Sequence, residues 1–341
     1  MEELTQEIRK AKITSTALVA LLITLLLLSL LKGTDSFGEA PAVDQMSATA
    51  AGGIDAPSGE DATTAEEPTG SGTDDPPERD DGLRFDAIEI EAASAILFDV
   101  RSGTVLFEEN AHERRPLASL TKIMTALVAL ELVGPDFQVT VTREHLGQYG
   151  NSGLYVDELW RLRDLVDVSM MTSANDAAFA IASSVGAAAL GTTEEEGRQY
   201  FISAMNQMAH DLEMHNTHFT NPTGLDEDIS NGGAYGSAYD VAKLVDHVLA
   251  TDPEILYPTR HRSVSRTSLS GIRHQLINTN IIVSNLDGIM ASKTGYTDLA
   301  GGNLVVVFDA DLNRPVIAVV LGSTFTDRFD DARALLKAAR R

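Results

Sequence analysis

The predicted β-strands lie at both ends of the chain, and the predicted helices lie between them. Two apolar, β-prone runs, 94–100 and 104–108, flank Arg101-Ser-Gly103, which is typical of a β-hairpin. The other strand-like runs come late in the chain, at 289–292, 303–308 and 316–321. Both ends can therefore supply strands to one antiparallel sheet, flanked by helices and carrying an inserted helical lobe, which is an α+β fold.

Helical periodicity fills the middle of the chain. Apolar residues recur at helical spacing from Ser119 to Val133, and Gly134-Pro135 is a stop signal. A second pattern, from Leu159 to Val185, is broken by the polar residues at 172–175. The remaining predicted helices are 199–214, 238–249 and 326–341. We expect one folded domain over residues 84–341.

An uncharged apolar run of nineteen residues, Ile13–Leu31, precedes this domain. It is long enough to cross a bilayer, which takes ~20 apolar residues. Three basic residues lie among the first twelve, so the positive-inside rule places residues 1–12 in the cytoplasm and exports the remainder. A cleaved signal peptide is the alternative, but its apolar region is usually only ~7–15 residues long. We predict a single-pass membrane anchor over 13–32, in contact with the lipid bilayer of the cell membrane.

Residues 33–83 are predicted to be a disordered acidic linker. They contain thirteen acidic residues and one basic residue, a net charge of −12, and few aromatic residues. Such a segment cannot bury enough apolar surface to fold. The whole chain carries a net charge of −24, which disfavours nucleic acid as a partner. It has no cysteine, which excludes disulfides and a cysteine nucleophile.

The first motif that suggests catalysis is Ser119-Leu-Thr-Lys122. Residues three apart share a helix face, so the lysine amine can reach the serine hydroxyl and, when neutral, remove its proton. The motif is weak alone, because Ser29-Leu-Leu-Lys32 repeats it beside the apolar run. An ordinary helix N-cap is the alternative interpretation of Ser119.

Two further motifs each occur once in the chain. Ser173-Ala-Asn175 interrupts the second helical pattern, and a capping turn is its alternative interpretation. Lys293-Thr-Gly295 ends a strand-like run. A lysine there can hold a substrate carboxylate as a point charge, and a glycine lets a substrate backbone approach closely. Its alternative interpretation is a strand that ends in a glycine turn.

The order of these motifs is the signature of serine penicillin-binding proteins and class A β-lactamases, with Ser-Ala-Asn in place of Ser-Asp-Asn. The surrounding sequence resembles that of D-alanyl-D-alanine carboxypeptidases, the low-molecular-mass penicillin-binding proteins of peptidase family S11. The similar stretches are 93–110, 114–122, 173–178, 219–226, 238–240 and 293–297.

The resemblance implies a β-lactamase/transpeptidase-like fold with the active site between the sheet and the helical lobe. It assigns Ser119 as nucleophile, Lys122 as its base, and Ser173 and Asn175 as proton-relay and substrate-positioning groups.

The same resemblance assigns four substrate-binding residues. Lys293 and Thr294 would hold the terminal carboxylate, beside Gly295. The backbone N–H of Tyr296 would form the oxyanion hole together with that of Ser119.

The implied substrate is a peptidoglycan stem peptide ending in D-Ala-D-Ala, with β-lactams as covalent inhibitors and no metal or cofactor. Many members of the family carry a further β-rich domain and a C-terminal amphipathic anchor. This chain stops soon after its last predicted helix. We therefore expect neither, with the N-terminal helix replacing the anchor.

Several alternatives stay open. A D,D-endopeptidase shares all three motifs. A β-lactamase needs a glutamate for deacylation, and Glu227-Asp-Ile-Ser-Asn231 loosely resembles the relevant element beside the Asn221-Pro-Thr-Gly224 turn. A metal-dependent peptidase could use His210 and His215-Asn-Thr-His218, although no H-E-x-x-H occurs. An inactive wall-binding or sensor module is disfavoured by the intact motifs.

Overall fold

The computed structural model describes residues 88–150 and 152–340. The predicted anchor and acidic linker lie outside the described residues. Within the described part of the chain, no helix combines the length and the apolar character needed to span a bilayer.

The strands of the described residues fall into one large sheet and three small ones. In chain order they are β1 (Ser94–Asp99), β2 (Thr104–Glu109), β3 (Arg115–Pro116), β4 (Gln138–Thr140), β5 (Leu159–Arg161), β6 (His218–Phe219), β7 (Ala234–Gly236), β8 (Ser263–Thr267), β9 (Arg273–Ile277), β10 (Ile289–Thr297), β11 (Gly301–Asp309) and β12 (Pro315–Ser323). The α-helices are α1 (Thr121–Val133), α2 (Leu162–Thr172), α3 (Asn175–Leu190), α4 (Glu194–Asp211), α5 (Ala238–Thr251) and α6 (Arg328–Ala339).

The large sheet has the order β10-β11-β12-β1-β2 and is antiparallel throughout. The first strand pairs with the last, with Ser94 opposite Leu321. The prediction that both ends of the chain supply one sheet is therefore confirmed. The β1–β2 turn is closed by Asp99, whose Oδ1 accepts from the backbone N–H groups of Arg101 and Ser102 at 3.0 and 3.1 Å.

Apolar residues on both faces of the sheet are buried. Along β12, Ile317 and Val319 belong to the core that includes the helical lobe, whereas Val316 and Ala318 belong to the core that includes α6. This alternation follows from the two-residue period of a strand. A sheet with helices on both faces explains why β11 and β12 are nearly continuous apolar runs.

α1 is the central helix of the lobe. Ten consecutive residues, Thr121 to Leu130, are buried, so the helix is covered on all sides. The interruption of the helix that was predicted at residues 172–175 is present between α2 and α3, where Ser173 adopts a left-handed conformation with φ 60°.

Several boundary predictions are wrong. Residues 159–161, predicted to be helical, form β5, and the helix predicted from 199 begins at Glu194. The Lys293-Thr-Gly295 motif does not end a strand but lies within the nine residues of β10. The helix predicted at 199–214 is α4, which ends at Asp211 because Glu213 has a positive φ of 52° and Met214 N donates back to Ala209 O at 2.8 Å. His215 and His218 therefore do not share a helix face.

Candidate active site

Ser119 lies in a 3₁₀ turn, Ala118–Leu120, that leads directly into α1. Lys122 is on the first turn of that helix, and its Nζ lies 2.8 Å from Ser119 Oγ. Ser119 makes no side-chain cap at the start of α1, so the interpretation as an ordinary N-cap is wrong. The geometry instead places an amine where it can take the hydroxyl proton.

The backbone around the serine is held in an uncommon conformation. Ala118 has φ 49°, and its carbonyl accepts from Thr121 Oγ1 at 2.7 Å. Gly224 packs so closely against this turn that a Cβ at position 224 would lie 1.9 Å from Ala118 O. Only glycine therefore fits there, and the 221–225 loop supports the turn that carries Ser119.

The Lys122 amine has three acceptors. Besides Ser119 Oγ, it lies 2.7 Å from Asn175 Oδ1 and 2.7 Å from the carbonyl oxygen of Thr223. Thr223 is fixed by Asn221, whose Oδ1 accepts from its N–H and hydroxyl at 3.1 and 2.9 Å. The amine is thereby oriented by the 221–225 loop, by the first residue of α3 and by the helix on which it lies.

Burial lowers the pKa of Lys122 from 10.5 to about 7, and the nearby Asp176 carboxylate opposes that change. The side chain has no solvent exposure, and loss of hydration disfavours the charged form. An amine with this pKa exists partly as the neutral base near neutral pH.

Ser173 and Asn175 flank the short break between α2 and α3. The Lys293 amine donates to Ser173 Oγ at 2.8 Å and to the Thr294 carbonyl at 2.7 Å. Asn175 uses its amide Nδ2 to donate to Tyr149 O at 2.7 Å while its oxygen accepts from Lys122. The three motifs are thus joined by hydrogen bonds between side chains.

The pKa of Lys293 is held well below its usual value by burial first, and then by the charges of Lys122 and Arg328. Among the described residues, no carboxylate forms an ion pair with Lys293. An anionic group beside this amine would therefore stabilise its charged form.

The rest of the third motif faces the turn that carries Ser119. A Cβ at Gly295 would lie 3.0 Å from Leu117 O and 3.2 Å from Ala118 Cβ, so a larger residue would press β10 away from that turn. Thr294 Oγ1 lies 2.6 Å from Thr279 Oγ1. Tyr296 is 46% exposed and meets Phe325 edge to face at 5.1 Å.

The profile of the D-alanyl-D-alanine carboxypeptidase family, peptidase S11, matches residues 82–324. This chain belongs to that family. Carboxypeptidase DacF of Bacillus subtilis (strain 168) is 31% identical over 72% of this chain and 61% of its own length. Carboxypeptidase DacD of Escherichia coli (strain K12) is 33% identical over 73% of this chain and 63% of its own length. A D-alanyl-D-alanine endopeptidase of Pseudomonas aeruginosa is 32% identical over 68% of this chain and 72% of its own length.

Solved structures of penicillin-binding proteins share the fold of this S11 member. The Streptomyces K15 DD-transpeptidase superimposes with a TM-score of 0.66 at 27% identity, covering 74% of this chain and 97% of the transpeptidase. Penicillin-binding protein D2 of Listeria monocytogenes, in its ampicillin-bound form, gives a TM-score of 0.63 at 29% identity, with 74% and 99% covered. The chain spans little more than three fifths of the lengths of DacF and DacD.

Two contributors to this S11 site were missed by sequence reasoning. Arg328, at the start of α6, is buried and donates from Nη1 to Gly295 O at 2.7 Å; burial lowers its pKa to about 10. The carbonyl of Thr223 is the other contributor. No local motif marks Arg328, whereas Asn221-Pro-Thr-Gly224 is a turn signal that could have pointed to Thr223.

For two of the alternatives, the β-lactamase and the metal-dependent peptidase, the described residues show no matching arrangement, whereas an endopeptidase would use the same three motifs. Glu227 is exposed, and its backbone N–H donates to Asn231 O at 2.7 Å within its own loop. Across residues 88–150 and 152–340, no group of three or more His, Asp or Glu side chains is arranged to hold a metal ion.

Proposed function

We propose that this chain is a serine-type D-Ala-D-Ala carboxypeptidase that removes the terminal D-alanine from peptidoglycan pentapeptides. The observation that carries the proposal is the Lys122 amine, 2.8 Å from Ser119 Oγ and held by Asn175. The carboxypeptidase names of DacF and DacD support the reaction, and the ampicillin-bound Listeria relative supports β-lactams as inhibitors.

In the proposed reaction, Ser119 Oγ attacks the carbonyl carbon of the penultimate D-alanine, and Lys122 Nζ takes the hydroxyl proton. The backbone N–H groups of Ser119 and Tyr296 stabilise the oxyanion. The C–N bond then breaks, and the departing amine receives the proton that Lys122 took from Ser119, relayed through Ser173, so that Lys122 returns to its neutral form. The Lys293 amine contacts the Ser173 hydroxyl at 2.8 Å. Water hydrolyses the acyl-serine ester after giving a proton to Lys122, and the serine hydroxyl is restored.

The terminal carboxylate of the substrate is assigned to Lys293 and Thr294. Lys293 lacks a carboxylate partner among the described residues, and a substrate carboxylate would provide one. Bonds between a charged donor and a carboxylate are roughly twice as strong as neutral hydrogen bonds. This requirement for a free carboxylate is what makes the proposed enzyme a carboxypeptidase.

Mass spectrometry of the purified full chain tests the proposal. Incubation with a fluorescent penicillin should give one covalent adduct, and a D-Ala-D-Ala pentapeptide should release D-alanine. Ser119→Ala should abolish both, since loss of a catalytic serine costs about 10⁶-fold in a comparable hydrolase. Ser29→Ala, which changes the other S-x-x-K serine, is the matched control and should retain both activities. An adduct that persists in Ser119→Ala would refute the assignment.

A second candidate function is D,D-endopeptidase activity, which the Pseudomonas aeruginosa relative favours by its name. Equal amounts of a monomeric pentapeptide and a cross-linked peptide dimer should distinguish the two. Faster release of D-alanine than of cleaved monomers supports the carboxypeptidase, and the reverse order supports the endopeptidase.

We also propose that residues 13–32 tether the enzyme to the cell membrane with its catalytic domain outside the cytoplasm. The nineteen uncharged residues of Ile13–Leu31 and the basic residues before them support this location. The full chain should fractionate with membranes and resist alkaline extraction, and a chain without residues 1–83 should not. Release of the full chain by alkali would contradict the anchor.

A further inference from the structure

A short polar segment crosses from the β8–β9 hairpin to the substrate-binding strand. Thr279 lies in it, two residues after the end of β9. Its backbone N–H donates to Met171 O, on the last turn of α2, at 3.1 Å. Its hydroxyl lies 2.6 Å from Thr294 Oγ1 on β10. Thr279 therefore contacts both the helix that leads to Ser173 and the strand assigned to the carboxylate.

The neighbours of Thr279 hold it firmly in place. Asn278 is buried and donates from Nδ2 to Thr259 O at 2.6 Å and to His261 O at 3.1 Å. Its Oδ1 accepts from the N–H of Asn280, which is also buried, at 2.8 Å. A side chain on a backbone fixed in this way has little freedom, so the hydroxyl of Thr279 is positioned before substrate binds.

The two threonine hydroxyls cannot both donate along the line that joins them. A hydroxyl has one proton and two lone pairs, whereas an ionised carboxylate only accepts. If Thr294 gives its proton to a substrate carboxylate, it is left as an acceptor toward Thr279. If the direction were reversed, Thr294 would present lone pairs to the carboxylate, which is repulsive.

We propose that Thr279 is a positioning residue for carboxylate recognition, which donates its hydroxyl proton to Thr294 Oγ1 and so directs the Thr294 proton to the substrate. The inference rests on the proposed function, because it assigns the terminal carboxylate to Thr294. Thr279 itself need not touch the substrate.

The test compares two variants on two substrates, using the full chain. Thr279→Val keeps the shape and removes the hydroxyl, and Thr279→Ser keeps the hydroxyl. For a peptide ending in D-Ala-D-Ala, Thr279→Val should lower kcat/KM about 3- to 10-fold, mainly through KM, as loss of one hydrogen bond implies. For the same peptide with a C-terminal amide it should change kcat/KM less than about twofold, and Thr279→Ser should stay near wild type on both.

A double variant tests whether Thr279 acts through Thr294. Thr279→Val combined with Thr294→Val should lose no more kcat/KM than Thr294→Val alone. Without the Thr294 hydroxyl, the Thr279 hydroxyl has no proton on Thr294 to orient. Thr104→Val is the matched control. It removes one hydroxyl from a similar pair, 2.7 Å from Ser102 Oγ, on the opposite edge strand of the sheet, and should not alter either substrate.

An equal loss by Thr279→Val on the acid and the amide would overturn the proposal, as would additive losses in the double variant or no rescue by serine. The same comparison is made for acylation by a penicillin and by its carboxyl methyl ester. If the wild type is acylated but releases no D-alanine, the proposed carboxypeptidase function fails. The acylation rates with the penicillin and with its methyl ester would still test the role of Thr279.

Discussion

The pKa of Lys122 predicts how the acylation rate depends on pH. Burial lowers this pKa from 10.5 to about 7, a difference that corresponds to about 5 kcal/mol in favour of the neutral amine. At pH 7 about half of the amines would be neutral, against about 0.03% for an unperturbed lysine. The buried position of Lys122 thus raises the population of the neutral amine about a thousandfold.

Single-turnover acylation by a fluorescent penicillin, followed from pH 5 to pH 9, measures this property. The rate constant should rise about tenfold per pH unit below pH 6 and level off above about pH 8. The same measurement is repeated with Asp176→Asn. The Asp176 carboxylate raises the pKa of Lys122, so its removal should move the midpoint to lower pH.

Three results would refute this reasoning. A rate constant that does not change between pH 5 and pH 9, or a midpoint near pH 10, would mean that Lys122 does not serve as a base with a lowered pKa. Lys122→Arg keeps a positive charge that does not titrate in this range. If that variant were acylated nearly as fast as the wild type, Lys122 would act only through its charge.

Three further predictions follow from single side chains. In steady-state assays, Lys293→Ala should lower kcat/KM about 10- to 100-fold for a peptide with a free C-terminal carboxylate, since a charged hydrogen bond contributes about 1.5–3 kcal/mol. The loss should be smaller for the C-terminal amide, and equal losses on the two substrates would contradict this prediction. Burial raises the pKa of Asp167 from 3.8 to about 6, so the native state favours the protonated acid. Relative to Asp167→Asn, the wild type should therefore lose about 2–2.5 kcal/mol of unfolding free energy as pH rises from 4 to 7; urea-unfolding free energies that change in parallel for the two proteins would disprove it. Gly224→Ala should destabilise the fold by about 2–3 kcal/mol or more and slow acylation, because its Cβ would clash with Ala118 O. The control is Gly103→Ala, which also lies at positive φ but has open space around it, and it should leave acylation unchanged. Thermal unfolding measures the stability, and penicillin labelling measures the acylation.

The sheet was predictable from sequence because its strands are apolar and their spacing is regular. The runs in β11 and β12 gave the correct positions, and the turn at 101–103 gave the hairpin. The β8–β9 hairpin was missed because only one of its faces is covered, and polar residues such as Arg266 and Gln275 interrupt the pattern. The end of α4 was misplaced because the apolar spacing continues to Met214, while the chain turns at Glu213.

The site was predictable wherever its residues form a local motif. The three-residue spacing predicted that Lys122 reaches Ser119, and the order of the three motifs predicted that they meet; the hydrogen bonds between them agree with both predictions. Contacts between residues far apart in sequence were not predictable. Arg328 reaches Gly295 from the last helix, and Thr279 reaches Thr294 from a segment with no motif of its own.

The protonation of the two buried lysines, Lys122 and Lys293, depends on their burial and on nearby charges as well as on the motifs that contain them. Burial is the main cause of the lowered pKa of Lys122, and the Asp176 carboxylate works against it. The charge of Lys122 disfavours the charged form of Lys293. Because interaction between two charges is mutual, the cleft holds both as ammonium groups only at a high cost in free energy. Asp176 supports a proton on Lys122, whereas no described carboxylate pairs with Lys293. In the proposed function, the terminal carboxylate of the substrate would supply the missing charge at Lys293, and the protonated Lys293 would then favour a neutral Lys122 beside Ser119.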